Sequence, residues 1–287
     1  MGSGLGFKGH VSELVATSAR MMADVSGAGT SDQFENVARV APLLEQWLAQ
    51  TRAPRPPVAL LDLVEEVRPD PGTIGADLGA YAGAWASQIV DRYGCQMIAV
   101  DIAPSPLAAA DRSKVRPLNA DLQRLPFRTG SLSLVWCRDT FPMIPDIRTA
   151  CAEIARVLRR DAGAVIYTAV TTPRLEPLER ADLIEALTMP SWWKDGRSPI
   201  DDAVACAGLD VIRVERRSPE HQEAALLDAE PELLHDLAVL GRLQRDASAL
   251  EALTSSEWAA RLRAWSAWPA YLLLGKLETI AWIVRKS

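Results

Sequence analysis

From Thr73 onward, short apolar runs alternate with amphipathic stretches. The runs Thr73–Leu78, Gln96–Asp101, Val115–Ala120, Leu132–Cys137 and Ala164–Thr168 are apolar along most of their length. Strands buried on both faces have that pattern, whereas a strand with one wet face alternates. Between the runs, Ala84–Tyr93, Pro106–Arg112 and Asp146–Leu158 read as helices. The order predicts an α/β fold: a doubly wound, mostly parallel sheet with helices on both faces. Leu209–Glu215 and Thr279–Arg285 supply a sixth and a seventh strand.

The flanking segments read as helical. His10–Asp24 and Ser31–Gln50 form two N-terminal helices, the second with Phe34, Val37, Val40, Leu44 and Trp47 at helical spacing. The proline-rich Arg52–Pro57 connects them to a short helix, Leu60–Val67. Between the last two strands, Gln222–Arg245 and Ser256–Leu274 read as helical where a hairpin would suffice. Insertions of that length tend to be functional. The expected division is a helical lid and linker over 1–57, a core over 58–215, a helical cap shaping an acceptor site over 216–278, and a last core strand over 279–287.

Chemistry concentrates in Ile74–Asp101. An apolar run reaches Asp77, a turn carries Gly79 and Gly83, a helix follows, and a second run ends in Asp101. An acid some 20 residues beyond a glycine-bearing strand-to-helix turn suits ribose hydroxyls. A dinucleotide fingerprint needs a further glycine where Tyr81 stands, and no Gly-Lys-Ser/Thr follows. Asp77 at the strand end would repel phosphates but suits a cationic or zwitterionic ligand such as S-adenosylmethionine.

The net charge of −6 and the absence of a basic run argue against nucleic acid and anionic membranes as partners. Cys95, Cys137, Cys151 and Cys206 are widely spaced without a CxxC pair, which predicts no metal site and buried thiols in a reducing cytosol. No signal peptide or spanning apolar run is visible, so the expectation is a cytoplasmic protein.

Five short motifs in order resemble the class I S-adenosylmethionine-dependent methyltransferases, in particular the small-molecule group of ubiquinone and menaquinone biosynthesis. They are Asp77-Leu78-Gly79-Ala80-Tyr81-Ala82-Gly83, then Ala99-Val100-Asp101-Ile102, then Asn119-Ala120-Asp121-Leu122 with Leu125-Pro126-Phe127, then Ser131–Asp139, then Glu153–Arg160. The resemblance implies a seven-stranded Rossmann-like sheet, its last strand antiparallel between its neighbours. It implies S-adenosylmethionine as cofactor and methyl transfer to a small, apolar or aromatic acceptor, with no nucleic acid or membrane partner and a homodimer as one assembly. By the resemblance, Asp101 and Ile102 meet the ribose, Asp121 and the Leu122 backbone meet adenine, and Asp77, Gly79, Ala80, Tyr81 and Gly83 lie near the methionine part. Cys137 and Arg138 complete the cofactor set, Arg138 as partner of a carboxylate. Tyr81 in place of a glycine, and Thr140–Pro145 without the histidine of many relatives, depart from the pattern. These departures keep one rival reading, a non-methylating reaction such as a cyclisation; another, a non-catalytic partner of a biosynthetic enzyme, is disfavoured because Asp77, Gly79, Gly83, Asp101 and Asp121 are all present.

Methyl transfer needs alignment, and a base only when the acceptor carries a proton. His221, His10 and Tyr81 are the candidates, and His235 reads as a helix-surface residue. Asp139, Trp192, Trp193 and Trp258 are the expected substrate contacts, the tryptophans supplying flat apolar surface.

Overall fold

A computed structural model describes residues 59–217, Pro219 and residues 231–287. The two N-terminal helices, the linker, His10 and His221 lie outside the described residues. The chain divides into two compact units. One comprises 58–170, 190–216 and 280–287, and the other, in its described part, 171–189 and the helices of 217–279. Thr171–Met189, expected in the core, thus belongs with the helical unit.

The first unit is built on a seven-stranded sheet. Its strands are β1 (Ile74–Leu78), β2 (Gln96–Asp101), β3 (Val115–Asn119), β4 (Leu132–Arg138), β5 (Leu158–Thr171), β6 (Leu209–Arg217) and β7 (Leu277–Lys286). The order is β3-β2-β1-β4-β5-β7-β6, so the order reverses between β1 and β4. β1 pairs in parallel with β2 and β4, β2 with β3, and β4 with β5. Ligands of open α/β sheets bind beyond the strand C-termini at such a switch point.

Side chains alternate between two cores. Val135 and Cys137 of β4 join Ala164 and Ile166 of β5 and Ile280 and Trp282 of β7 under the helix Ile147–Val157. Leu134 and Trp136 join Val165, Ala281 and Ile283 under Ala59–Glu65 and Ala84–Tyr93. In chain order these three helices are α1 (Ala59–Glu65), α2 (Ala84–Tyr93) and α4 (Ile147–Val157), with α3 at Pro104–Leu107. Each strand thus feeds both faces, which is why the runs read as continuously apolar.

Three expectations are corrected. The helix expected at Pro106–Arg112 is the single turn α3, begun by prolines that suit a first helical turn. Strand β5 starts at Leu158 rather than Ala164. Between the pairs Leu132↔Leu158 and Leu134↔Gly163 it bulges, with Asp161 at φ 64°, and its polar Arg159-Arg160-Asp161 hid the strand. Cys206 is exposed, whereas the other three thiols are buried, and burial pushes Cys151 up to about 12.

In the helical unit, α5 (Pro177–Leu187) starts with a capping box between Glu176 and Glu179. After α6 (Ser198–Cys206) of the first unit come α7 (Pro231–Arg245), α8 (Ala247–Leu253), α9 (Ser256–Ser266) and α10 (Trp268–Leu273). The continuous helix expected over Ser256–Leu274 breaks at Ala267, which leaves Pro269 in the first turn of α10. Trp258, Trp265 and Trp268 are buried, the last two stacked at 4.9 Å.

Candidate cofactor site at the strand C-termini

The turn after β1 is defined by backbone hydrogen bonds. The amides of Gly79 and Ala80 both donate to the Val100 carbonyl, at 2.8 and 2.9 Å, and Gly83 N donates to Ala80 O at 2.7 Å. Gly79 sits at φ +75°, and a Cβ there would lie 2.2 Å from Thr140 Oγ1. Only glycine satisfies both constraints. Tyr81, in the place of the missing glycine, adopts the left-handed conformation itself, at φ 52°. That costs about 1–2 kcal/mol for an L-residue. The Tyr81 amide donates to Asp101 Oδ2 at 2.7 Å. A hydrogen bond to a charged acceptor is worth about 1.5–3 kcal/mol, enough to offset the strain. The Tyr81 side chain is 5% exposed.

Asp101 ends β2 and is 3% exposed. Its Oδ1 accepts the Ala103 amide at 2.9 Å, so two main-chain N–H groups fix the carboxylate. Asn119 Nδ2 donates to the Asp101 and Ile102 carbonyls, both at 2.9 Å, and ties β3 to this corner. Ile102 is 48% exposed, an apolar side chain left open beside the acid. Asp121 caps the 3₁₀ turn Leu122–Arg124, accepting the Gln123 amide at 2.8 Å. The Leu122 side chain is buried in the core on the α4 face.

At the exit of β4, Arg138 pairs with Asp139 at 3.1 Å and lies 4.5 Å over the Trp85 ring. Trp85, in the first turn of α2, stacks on Trp136 at 5.7 Å. Sequence reasoning missed Trp85; its position two residues beyond Gly83, at the start of the helix, was the available signal. Asp139 is also left-handed, at φ 53°, and its amide donates to Tyr167 O at 2.7 Å. Cys137 faces the opposite way, its thiol buried in the α4-side core.

The structure therefore gathers Asp77, Gly79, Ala80, Tyr81, Gly83, Asp101, Ile102, Asp121, Arg138 and Asp139 along the C-terminal ends of β1 to β4. Four carboxylates at one edge favour a cationic ligand and disfavour a polyphosphate. In the turn itself the amides of Gly79, Ala80, Tyr81 and Gly83 are spent on Val100, Asp101 and Ala80. A phosphate-binding turn needs such amides turned outward, so this one fits a phosphate-free adenosine ligand.

The other expected residues lie elsewhere. Trp193 is 0% exposed in the 3₁₀ turn Ser191–Asp195, with its indole N–H on Ala169 O at 3.2 Å. Its ring is packed inside the first unit. Trp192 is half-buried and donates to Ile144 O at 2.8 Å. Trp258 is buried within the helical unit, 5.6 Å from the Arg261 guanidinium. His235 lies on α7. Among the described residues no group of three His, Cys, Asp or Glu side chains is placed to hold a metal, and no helix is long and apolar enough to cross a membrane.

Residues 76–166 match the family model described as "Methyltransferase domain". The sarcosine/dimethylglycine N-methyltransferase of Halorhodospira halochloris is 26% identical over 133 residues, 42% of this chain and 43% of that protein. The chain spans between 43% and 56% of the length of the curated relatives it matches. Among solved structures, the Haemonchus contortus phosphoethanolamine N-methyltransferase 2 bound to phosphomonomethylethanolamine and S-adenosylhomocysteine superposes with a TM-score of 0.64 at 18% identity, covering 88% of this chain and 58% of that one. A [4+2]-cyclase superposes with a TM-score of 0.60 at 16% identity, over 79% and 80% of the two chains. Likenesses at that identity establish a shared fold.

Proposed function

We propose, from the match of residues 76–166 to the methyltransferase-domain model, that this protein binds S-adenosylmethionine and transfers its methyl group to a small, apolar or aromatic acceptor. The observation that carries the reading is the Asp101 corner. A buried carboxylate at the end of β2 is oriented by two amides, beside a glycine turn whose own amides are spent. Asp101 is assigned the ribose hydroxyls, Asp121 the adenine amino group, and the backbone of Gly79–Gly83 the methionine part.

The bound cofactor supplies an activated methyl group on a sulfonium. The protein's share is alignment, electrostatics and, for a protonated acceptor, a base. Asp77 and Asp139 make the edge favourable for positive charge. Arg138, steadied by Trp85 and Asp139, is assigned a carboxylate of cofactor or acceptor. Holding a nucleophile about 3–3.5 Å from the methyl group supplies most of what such a displacement needs. His221 is assigned the base, with His10 and Tyr81 as the alternatives. The reading includes a cytoplasmic protein, monomeric or homodimeric, without nucleic acid or membrane partners.

Isothermal titration with S-adenosylhomocysteine tests the reading: saturable binding that Asp101→Ala weakens is expected, and no binding at millimolar ligand would sink it. A second reading, a cyclisation without methyl transfer, draws support from the cyclase that shares the fold. It requires product without release of S-adenosylhomocysteine, which a turnover assay that follows both species separates.

A further inference from the structure

The fifth sequence motif is assigned no cofactor contact, yet two of its side chains make five hydrogen bonds to each other and to one loop. Glu153 and Arg156 lie one turn apart on α4 and pair through Arg156 Nε–Glu153 Oε1 at 2.6 Å and Nη2–Oε2 at 2.8 Å. On an exposed helix face such a pair contributes little. This pair faces the β3–β4 loop. Glu153 Oε2 accepts the Leu125 amide at 2.7 Å, Arg156 Nη2 donates to Leu125 O at 2.9 Å, and Nη1 donates to Phe127 O at 2.7 Å. The Arg156 carbonyl accepts the Gly130 amide at 2.9 Å, and ahead of the same helix Asp146 N donates to Gln123 Oε1 at 3.3 Å.

The loop held this way is the one that begins with Asp121. Leu122 and Leu125 are buried beneath it, and Phe127 packs on the same core. Main-chain groups in a loop without ladder partners must find others. Here one guanidinium and one carboxylate serve both polar groups of Leu125 and the carbonyl of Phe127. The guanidinium uses Nε, Nη1 and Nη2 in one plane, a fork that lysine cannot reproduce.

We infer that Glu153 and Arg156 are positioning residues for nucleobase recognition: their clip on Leu125 and Phe127 sets where Asp121 and the Leu122 backbone stand, and so sets selectivity for a base with an amino group. The inference rests on the assignment of Asp121 to the adenine amino group. It places part of the cofactor's selectivity on a helix that does not touch the cofactor.

The experiment compares S-adenosylhomocysteine with S-inosylhomocysteine, which carries a carbonyl in place of the amino group. Both are titrated into the wild type, Asp121→Asn, Arg156→Gln, Arg156→Lys and Glu153→Gln, alongside thermal melts. The wild type is expected to prefer the adenosyl ligand. Arg156→Gln should weaken that ligand about tenfold and shrink the preference, with Arg156→Lys restoring little. Glu153→Gln, which keeps an acceptor for the Leu125 amide, should fall between and decides the matter if Arg156→Gln does not fold. An equal loss for both ligands, or a lower melting temperature with the preference intact, would overturn the inference and leave the clip a folding element. If Asp121→Asn abolishes the preference while the clip variants keep it, the inference fails and the Asp121 assignment stands. If the clip variants change the preference and Asp121→Asn does not, the Asp121 assignment fails, and the inference that rests on it is overturned. A wild type that binds neither ligand overturns the function and the inference together.

Discussion

Two turns at the C-terminal edge of the sheet hold a non-glycine residue in the left-handed conformation, and they hold it by different means. Tyr81, at φ 52°, is secured by its amide on the side chain of Asp101. Asp139, at φ 53°, is secured by its amide on the main-chain carbonyl of Tyr167. The first turn therefore depends on a side chain that substitution can remove; the second is carried by backbone that substitution leaves in place. Asp101 thus has two proposed duties, the ribose assigned to it and the support of this turn. At Asp139 the side chain pairs with Arg138, while the bond that supports the turn is main-chain.

The largest expected effect lies where backbone strain and crowding coincide. Gly79→Ala adds a Cβ 2.2 Å from Thr140 Oγ1 at φ +75°. Overpacking of about 1–3 kcal/mol and left-handed strain of about 1–2 kcal/mol should combine, and Thr140 must leave the Leu78 carbonyl it bonds at 3.1 Å. Chemical denaturation should register most of that sum. A variant as stable as the wild type would mean that the turn relaxes freely.

Asp101→Ala comes next and separates the two turns directly. It removes acceptors from the Tyr81 and Ala103 amides, at about 1.5–3 kcal/mol for a bond to a charged group. Stability and affinity for S-adenosylhomocysteine should fall together, the affinity by about tenfold or more. Asp101→Glu should be milder, because it keeps the oxygens and lengthens the reach. Affinity lost at unchanged stability would confine Asp101 to the ligand and undo its role in the turn.

Tyr81→Gly sharpens the same point. Glycine relieves about 1–2 kcal/mol of strain but vacates a buried ring, a change that costs about 3–5 kcal/mol for large aromatics. A net loss of about 1–4 kcal/mol is expected, with ligand affinity kept because the amide on Asp101 remains. Unchanged turnover in Tyr81→Phe would remove the phenol from the chemistry.

The contrast also explains what was legible in the sequence. Strand positions and the glycine turn could be read because apolar runs and a required glycine leave marks on composition. Asp101 stood out in the sequence as a candidate for ribose, but its bond to the Tyr81 amide could not be read there, since it joins residues 20 positions apart. The burial of Trp193 could not be read from a tryptophan pair after a proline, and only the fold shows its N–H on Ala169. The Glu153–Arg156 clip was visible as a motif, but its targets, Leu125 and Phe127, are apolar residues engaged through their backbones and carry no signal in their identities. The start of β5 was hidden for the opposite reason, a bulge of charged residues inside a strand.

The smallest effect should come from the second turn. Asp139→Asn neutralises the carboxylate but leaves the Asp139 amide on Tyr167 O at 2.7 Å, and asparagine tolerates the left-handed region better than most residues. The Arg138–Asp139 ion pair at 3.1 Å loses its charge on one side, while the Trp85 face at 4.5 Å is kept, an interaction worth about 0.5–2 kcal/mol. The expected change in stability is about 1 kcal/mol, below that of Asp101→Ala. Affinity for S-adenosylhomocysteine should move in a direction that identifies what Arg138 binds. If Arg138 meets the cofactor carboxylate, freeing it from Asp139 should tighten S-adenosylhomocysteine but not 5′-methylthioadenosine, which lacks that carboxylate. If Arg138 meets the acceptor, both ligands should bind as before and the acceptor KM should change instead. A stability loss as large as that of Asp101→Ala would show that the Asp139 side chain, and not the backbone bond to Tyr167, holds the second turn, and the distinction between the turns would collapse.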